Sequence, residues 1–201
     1  MMETDKPGAK ILKILLKDLS VKPTTTSLAE NIGMSRVGAW KVLKRLEAQK
    51  LIILSPAGTG KTSTYSISLN WENPLAEKTL ALALIGDALK NPRWRSNFAE
   101  LEAKVGFLII YGSIMHSPRE AKDIDLLSVV PNQNKFLEIE ESIKKIQKTQ
   151  AKKIHILSFT QKELKDELEK PNKVFIDALK RGVVLFGQEN FIRFMKELMK
   201  R

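Results

Sequence analysis

The run "VGFLIIYGS", residues 105–113, constrains the fold more than any other stretch of this chain. Its apolar residues are continuous rather than helically spaced, and the run ends in Gly-Ser, which reads as a buried strand closed by a turn. "KDIDLLSVV" (122–130) is a second such strand and "KKIHILSF" (152–159) a third. Between these two lies "NKFLEIEESIKKIQKTQ", an amphipathic, lysine-rich helix. The order strand, turn, strand, helix, strand predicts a small mixed-sheet α/β domain over residues 105–201.

The N-terminal third follows another rule. In "AKILKILLKDLS", Ile11, Leu12, Leu15, Leu16 and Leu19 recur at helical intervals. "KPTTTSLAENIG" predicts a second helix, capped by Thr26 or Ser27 with Glu30 in the capping-box position and Gly33 at its end. "MSRVGAWKVLKRLEAQKLI" predicts a third, capped by Ser35. Its apolar face would be Val37, Trp40, Val42 or Leu43, and Leu46, and its other face carries Arg36, Lys41, Lys44 and Arg45. "LIILSPAGTGKTSTYSISLN" alternates apolar and polar residues around a glycine-rich tip, the pattern of a β-hairpin. Within it "GTGKTS" imitates the end of a phosphate-binding P-loop. Ser55 stands where the first glycine belongs, and β-branched residues follow where a helix is needed.

Between the two halves, residues 73–104 predict a helical connector. "ENPLAEKTLALALIGDALKN" has Asn73 as cap and Pro74 in the first turn. It carries more leucine than one face needs, so more than one side is expected to be covered, by the next domain or by a second copy in a dimer. "NPRWRSNFAELEAKVG" repeats the Asn-Pro device, with Trp94 and Phe98 placed for a core.

The whole chain is α+β by this reading, and its charge narrows the choice of partner. The net charge is +11 over 201 residues, a balance that favours polyanions. Residues 1–71 hold 11 Lys and Arg against 5 Asp and Glu, concentrated on the third helix and the hairpin tip. No apolar run approaches the roughly 20 residues of a membrane span. No cysteine is present, so there is no disulfide framework and no thiolate metal site. The N-terminus does not read as a signal peptide, so no membrane partner and a cytoplasmic location are expected.

Three helices and a hairpin over residues 8–71 resemble a winged helix-turn-helix domain. The resemblance implies double-stranded DNA as partner, with helix 35–49 reading the major groove. It assigns DNA contacts to Ser35, Arg36, Lys41, Lys44, Arg45 and, at the wing tip, Lys61 and Thr62.

The second half, with Gly112-Ser113 at the end of one strand and Asp123-Ile124-Asp125 on the next, resembles the nucleotidyltransferase fold of the DNA polymerase β superfamily. The small prokaryotic minimal nucleotidyltransferase group is most similar, and "ALKRGVVLFGQENF" is similar to the segment that closes many such domains. The resemblance implies Mg²⁺ held by Asp123 and Asp125, and ATP or another nucleoside triphosphate as ligand or substrate. Gly112 and Ser113 would meet the phosphates, and Lys122, which is not part of the family's pattern, could either hold a phosphate or block a metal. Residues i and i+2 of a strand share a face, so the two carboxylates can grip one ion.

The sequence departs from that pattern at three places. "IMHSPREAK" follows Gly-Ser where a small-residue step is usual, Lys122 precedes the first aspartate in place of serine, and His155 occupies the position of the third catalytic carboxylate. His155 has three readings: an ordinary, partly buried histidine, a substitute general base, or a transition-metal ligand with the two aspartates and His116. The nearest acids, Glu163 and Asp166, lie beyond the strand.

Two functions follow. One is a dimeric DNA-binding transcription regulator whose second domain binds nucleotide and metal with little or no catalysis. The alternative is an active Mg²⁺-dependent nucleotidyltransferase, with Asp123, Asp125 and His155 catalytic, moving AMP to a small molecule or to a partner toxin protein.

Overall fold

The structure is a computed structural model that describes residues 6–19, 23–57, 64–170 and 173–199. The chain divides into two compact units, Met1–Ala83 and Leu84–Arg201. The boundary falls inside the segment 73–104 that the sequence marks as a connector.

The first unit opens with α1 (Pro7–Lys17), which buries Ile11, Leu12, Leu15 and Leu16. Leu19 lies beyond its end. Helix α2 (Thr25–Ile32) starts earlier than the sequence suggests. Thr24 is its cap, accepting from the Ser27 N–H at 3.2 Å while the Ser27 hydroxyl accepts from the Thr24 N–H at 2.9 Å. This reciprocal pair takes the place expected for Thr26 or Ser27 with Glu30. Gly33 ends the helix in the left-handed conformation, φ 68°. Helix α3 (Arg36–Ala48) is capped by Ser35, whose hydroxyl accepts from the Gly38 N–H at 3.1 Å.

Strands β1 (Ile52–Ala57) and β2 (Thr64–Leu69) pair antiparallel as the hairpin, bringing Leu54 opposite Ile67 and Pro56 opposite Tyr65. The expected tip contacts Lys61 and Thr62 lie outside the described residues. The decoy "GTGKTS" is followed by strand β2 and not by a helix, as its composition requires. Helix α4 (Pro74–Leu89) follows, with the Asn73 side chain accepting from the Leu75 N–H at 3.0 Å. Asn73 and Asn70 also donate to the Lys50 carbonyl, each at 2.9 Å, and so tie the start of α4 to the end of α3.

The second unit is built on a mixed four-stranded sheet of β3 (Phe107–Tyr111), β4 (Asp123–Val130), β5 (Lys153–Thr160) and β6 (Val183–Phe186), in the order β5-β4-β3-β6. Strand β3 is antiparallel to both its neighbours, and β4 is parallel to β5 through the crossover helix α6 (Lys135–Gln147). One face of the sheet presents Leu108, Ile110, Ile124, Leu126 and Ile154 to a core that includes Trp94, Phe98, Leu101, Ile139 and Ile146. Trp94 belongs to a short α5 (Pro92–Asn97), after which a 3₁₀ turn, Ala99–Leu101, replaces the longer helix read from the sequence. Asn91 does not cap α5. Its amide turns back and donates to the Asp87 carbonyl at 2.9 Å.

The opposite face carries Phe107, which packs on Phe191 and Phe194 of α9 (Gln188–Met199) at ring separations of 5.4 and 5.5 Å. Phe159 meets Phe175 of α8 (Lys173–Arg181) in the same way, at 5.3 Å. Helix α7 (Gln161–Glu169) begins directly at the end of β5, capped by Thr160. These contacts cover that face where Phe107 and Phe159 lie. Farther along the same face, Asp123, Asp125 and His155 are partly exposed.

Candidate functional site

In the first unit, α3 has two unlike sides. Ala39, Leu43 and Leu46 are buried, while Arg36, Lys41, Lys44 and Arg45 are exposed. Val37 is not part of the apolar face expected of it, being 66% exposed, and Trp40 is only half-buried. Trp40 instead leans on Tyr65 of β2, with ring centroids 5.1 Å apart, and so joins the helix to the hairpin.

Thr24, Thr25, Thr26, Arg36, Val37, Trp40 and Tyr65 wall a pocket of about 440 Å³ beside the first turns of α2 and α3. Of these, Val37, Trp40, Tyr65 and the threonines were not singled out as contacts by the sequence. Lys44 is already engaged. Its Nζ lies 2.7 Å from Glu47 Oε2 and 5.2 Å above the Trp40 ring. The hydrogen bond to Glu47 pushes the lysine further into its charged form. Ser35 is committed to capping, which leaves Arg36, Lys41 and Arg45 as the cations of that helix best placed to meet a polyanion.

In the second unit the sheet assembles a different site. The parallel register sets Asp125 opposite His155, and Asp123 two residues earlier opposite Lys153. His155 Nδ1 stands 3.6 Å from Asp123 Oδ2 and 3.8 Å from Asp125 Oδ1, with the three side chains 47%, 35% and 28% exposed. Neither separation is a hydrogen bond. One ligand atom from each residue falls within 4.8 Å of the others. Burial, reinforced by the charge of Asp123, pushes the Asp125 carboxyl above its ordinary range, and His155 acts against that rise. Tyr111, paired with Asp125 across the antiparallel ladder, is held in its neutral form first by burial and then by the Asp125 charge.

Gly112 closes β3 against this cluster. Its φ is +82°, and a Cβ there would lie 2.5 Å from Asp125 Oδ2. Only glycine combines that conformation with that approach. Ser113 follows in a three-residue 3₁₀ turn, Ser113–Met115, and not at the head of a helix, so no helix dipole reinforces it. Lys122 is exposed beside Asp123. His116 is exposed and stands outside the Asp-Asp-His grouping.

No third carboxylate joins the two aspartates among the described residues. Glu163 is spent on α7, accepting from the Thr160 N–H at 2.7 Å and from Gln133 at 3.0 Å, and Asp166 is exposed farther along that helix. Magnesium, which the nucleotidyltransferase resemblance implies, is not matched by these donors. Mg²⁺ takes oxygen ligands in near-ideal octahedral geometry, and the third donor here is an imidazole nitrogen.

No family model matches the chain, and no curated protein does. Among solved structures it is similar to a mutant form of Lactococcus lactis ZitR, 26% identical over 49% of this chain and 60% of that one, with a TM-score of 0.32. A second ZitR structure, described as a zinc-responsive MarR family member, is 23% identical over 51% and 62%, TM-score 0.30. The heme sensor protein PefR from Streptococcus agalactiae is 13% identical over 74% and 76%, TM-score 0.34. The chain thus spans about three fifths of the ZitR chains it matches.

Proposed function

We propose that this protein is a DNA-binding regulator. Its first unit reads duplex DNA, and its second binds a nucleotide together with a metal ion without acting as an efficient transferase. The observation that carries the reading is the exposed side of α3. Arg36, Lys41 and Arg45 stand free of the core on a helix whose buried side is fixed by Leu43 and Leu46. Phosphate contacts need cations placed in this way. Val37, exposed in the first turn, supplies the apolar contact that a thymine methyl takes in the major groove.

Two observations support the second half of the proposal. Gly112 and Ser113 follow β3 beside Asp125, and Lys122 adds a cation next to Asp123, where a bound metal ion would offset the repulsion between the two carboxylates and an incoming phosphate. A set of two carboxylates in place of three argues against efficient nucleotidyl transfer, whether to a small molecule or to a partner toxin. Dimerisation is proposed through α4, on which Leu75, Leu82, Ile85 and Leu89 are exposed at intervals of one helix face.

The experiment is a gel-shift titration of duplex DNA with the wild-type chain and with an Arg36→Ala, Lys41→Ala, Arg45→Ala variant. The wild type retards the duplex and the variant does so at least tenfold more weakly. Equal retardation by both would remove the proposal. Incubation with ATP and Mg²⁺ is expected to give no sustained pyrophosphate release. Release that Asp125→Asn abolishes would restore the transferase reading.

A further inference from the structure

We propose that Asp123, Asp125 and His155 form a binding site for a divalent transition-metal ion of the zinc or cobalt type, in preference to magnesium. The proposal deepens the reading of the second unit as a metal-dependent ligand-binding domain and is independent of DNA binding by the first.

The ligands are placed by strand geometry. Asp123 and Asp125 alternate on one face of β4, and the parallel register of β5 delivers His155 directly beside Asp125. The strand β4 that holds both aspartates is flanked on both sides, by β3 and by β5. Three donors around one Zn²⁺ at about 2.0–2.2 Å lie about 3.4 Å from one another when tetrahedral. Nδ1 already stands 3.6 and 3.8 Å from the two carboxylate oxygens. A shift of a few tenths of an ångström brings Nδ1 to that spacing from both oxygens, and all three ligand atoms already lie within 4.8 Å of one another.

Gly112 allows this approach of Asp125, since a Cβ at its φ of +82° would lie 2.5 Å from Oδ2.

The donor set decides the metal. Imidazole nitrogen with carboxylate oxygen suits Zn²⁺ and Co²⁺, whereas Mg²⁺ takes oxygen alone. Three protein ligands also leave a fourth position, and with His155 47% exposed that position faces solvent. The site is therefore able to take a further oxygen ligand from water or a phosphate.

The chain has two histidines and no cysteine, so an imidazole signature has two sources at most. The test uses full-length chain stripped with a chelator and titrated with Co²⁺, followed by visible absorption. A ligand-field band that saturates at one equivalent, is displaced by Zn²⁺ and withstands a large excess of Mg²⁺ is expected. His155→Ala should weaken Co²⁺ about a hundredfold or more, and His116→Ala should leave it unchanged. His155→Asp, which restores an all-oxygen set and serves as a second variant, should make the melting temperature respond to Mg²⁺. A Co²⁺ spectrum like that of the free aqua ion, equal loss in His116→Ala, or displacement by equimolar Mg²⁺ would each overturn the proposal. Loss of DNA retardation in the same preparation bears on the first unit alone.

Discussion

Asp125 and His155 face each other across the parallel β4–β5 ladder, with Nδ1 3.8 Å from Oδ1 and Gly112 packed behind the carboxylate. Gly112→Ala puts a methyl group into the Asp125 oxygen and holds a non-glycine residue at φ +82°. The strain of such a residue is about 1–3 kcal/mol. A lower melting temperature and a loss of Co²⁺ affinity together are expected. Unchanged melting and unchanged affinity would show that the close approach has no consequence.

Val37 and Leu43 differ sharply in burial on α3, 66% and 0% exposed. Leu43→Ala should cost about 2–5 kcal/mol in chemical denaturation, the range of a buried leucine truncation. Val37→Ala should cost under about 0.5 kcal/mol, as exposed substitutions do. The same Val37 variant should bind duplex DNA more weakly. A large stability loss at Val37 would return it to the core.

This contrast shows where the sequence was legible. The strand at 107–111 is legible because its apolar run is short and closed by Gly112, and that at 123–130 because Asp123, Ile124, Asp125 and Leu126 alternate before its apolar end. Ser35 and Gly33 were readable because each helix end there offers one fitting residue. The α2 cap was not, since Thr24, Thr25, Thr26 and Ser27 all suit an N-cap, and it is the reciprocal Thr24–Ser27 bonding that decides.

Helical spacing alone allows Val37 two neighbouring faces, and the packing of Leu43 and Leu46 selects between them. The Trp40–Tyr65 contact was hidden because it joins a helix to a strand distant in sequence. The partnership of Asp125 with His155 depends on register across a crossover helix, which neither strand states by itself.

Glu163 links acid sensitivity to the α7 cap. Hydrogen bonds from the Thr160 N–H, the Thr160 hydroxyl and Gln133 hold its carboxyl below the ordinary glutamate range. A depressed folded-state pKa stabilises above the unfolded value and is lost as pH falls toward the folded one. Glu163→Gln keeps a capping-box partner and removes the titration. Between about pH 6 and about pH 3 the melting temperature of the variant should fall less steeply than that of the wild type. Parallel curves would exclude Glu163 as a contributor.

Leu82 and Ile85 lie among the exposed apolar residues of α4. Sedimentation equilibrium should give a dimer mass for the wild type and a monomer mass for Leu82→Glu, Ile85→Glu. A wild-type monomer at micromolar concentration would contradict a dimer through this helix.

The most direct test of the central claim is the salt dependence of DNA affinity, measured by fluorescence anisotropy on a labelled duplex. With phosphate contacts from α3, log affinity should fall linearly with log salt, with a slope of about 0.9 per contact. Arg36→Ala and Lys41→Ala should each reduce that slope by about 1. Affinity that is insensitive to salt, or slopes identical to wild type in both variants, would contradict DNA recognition by this helix.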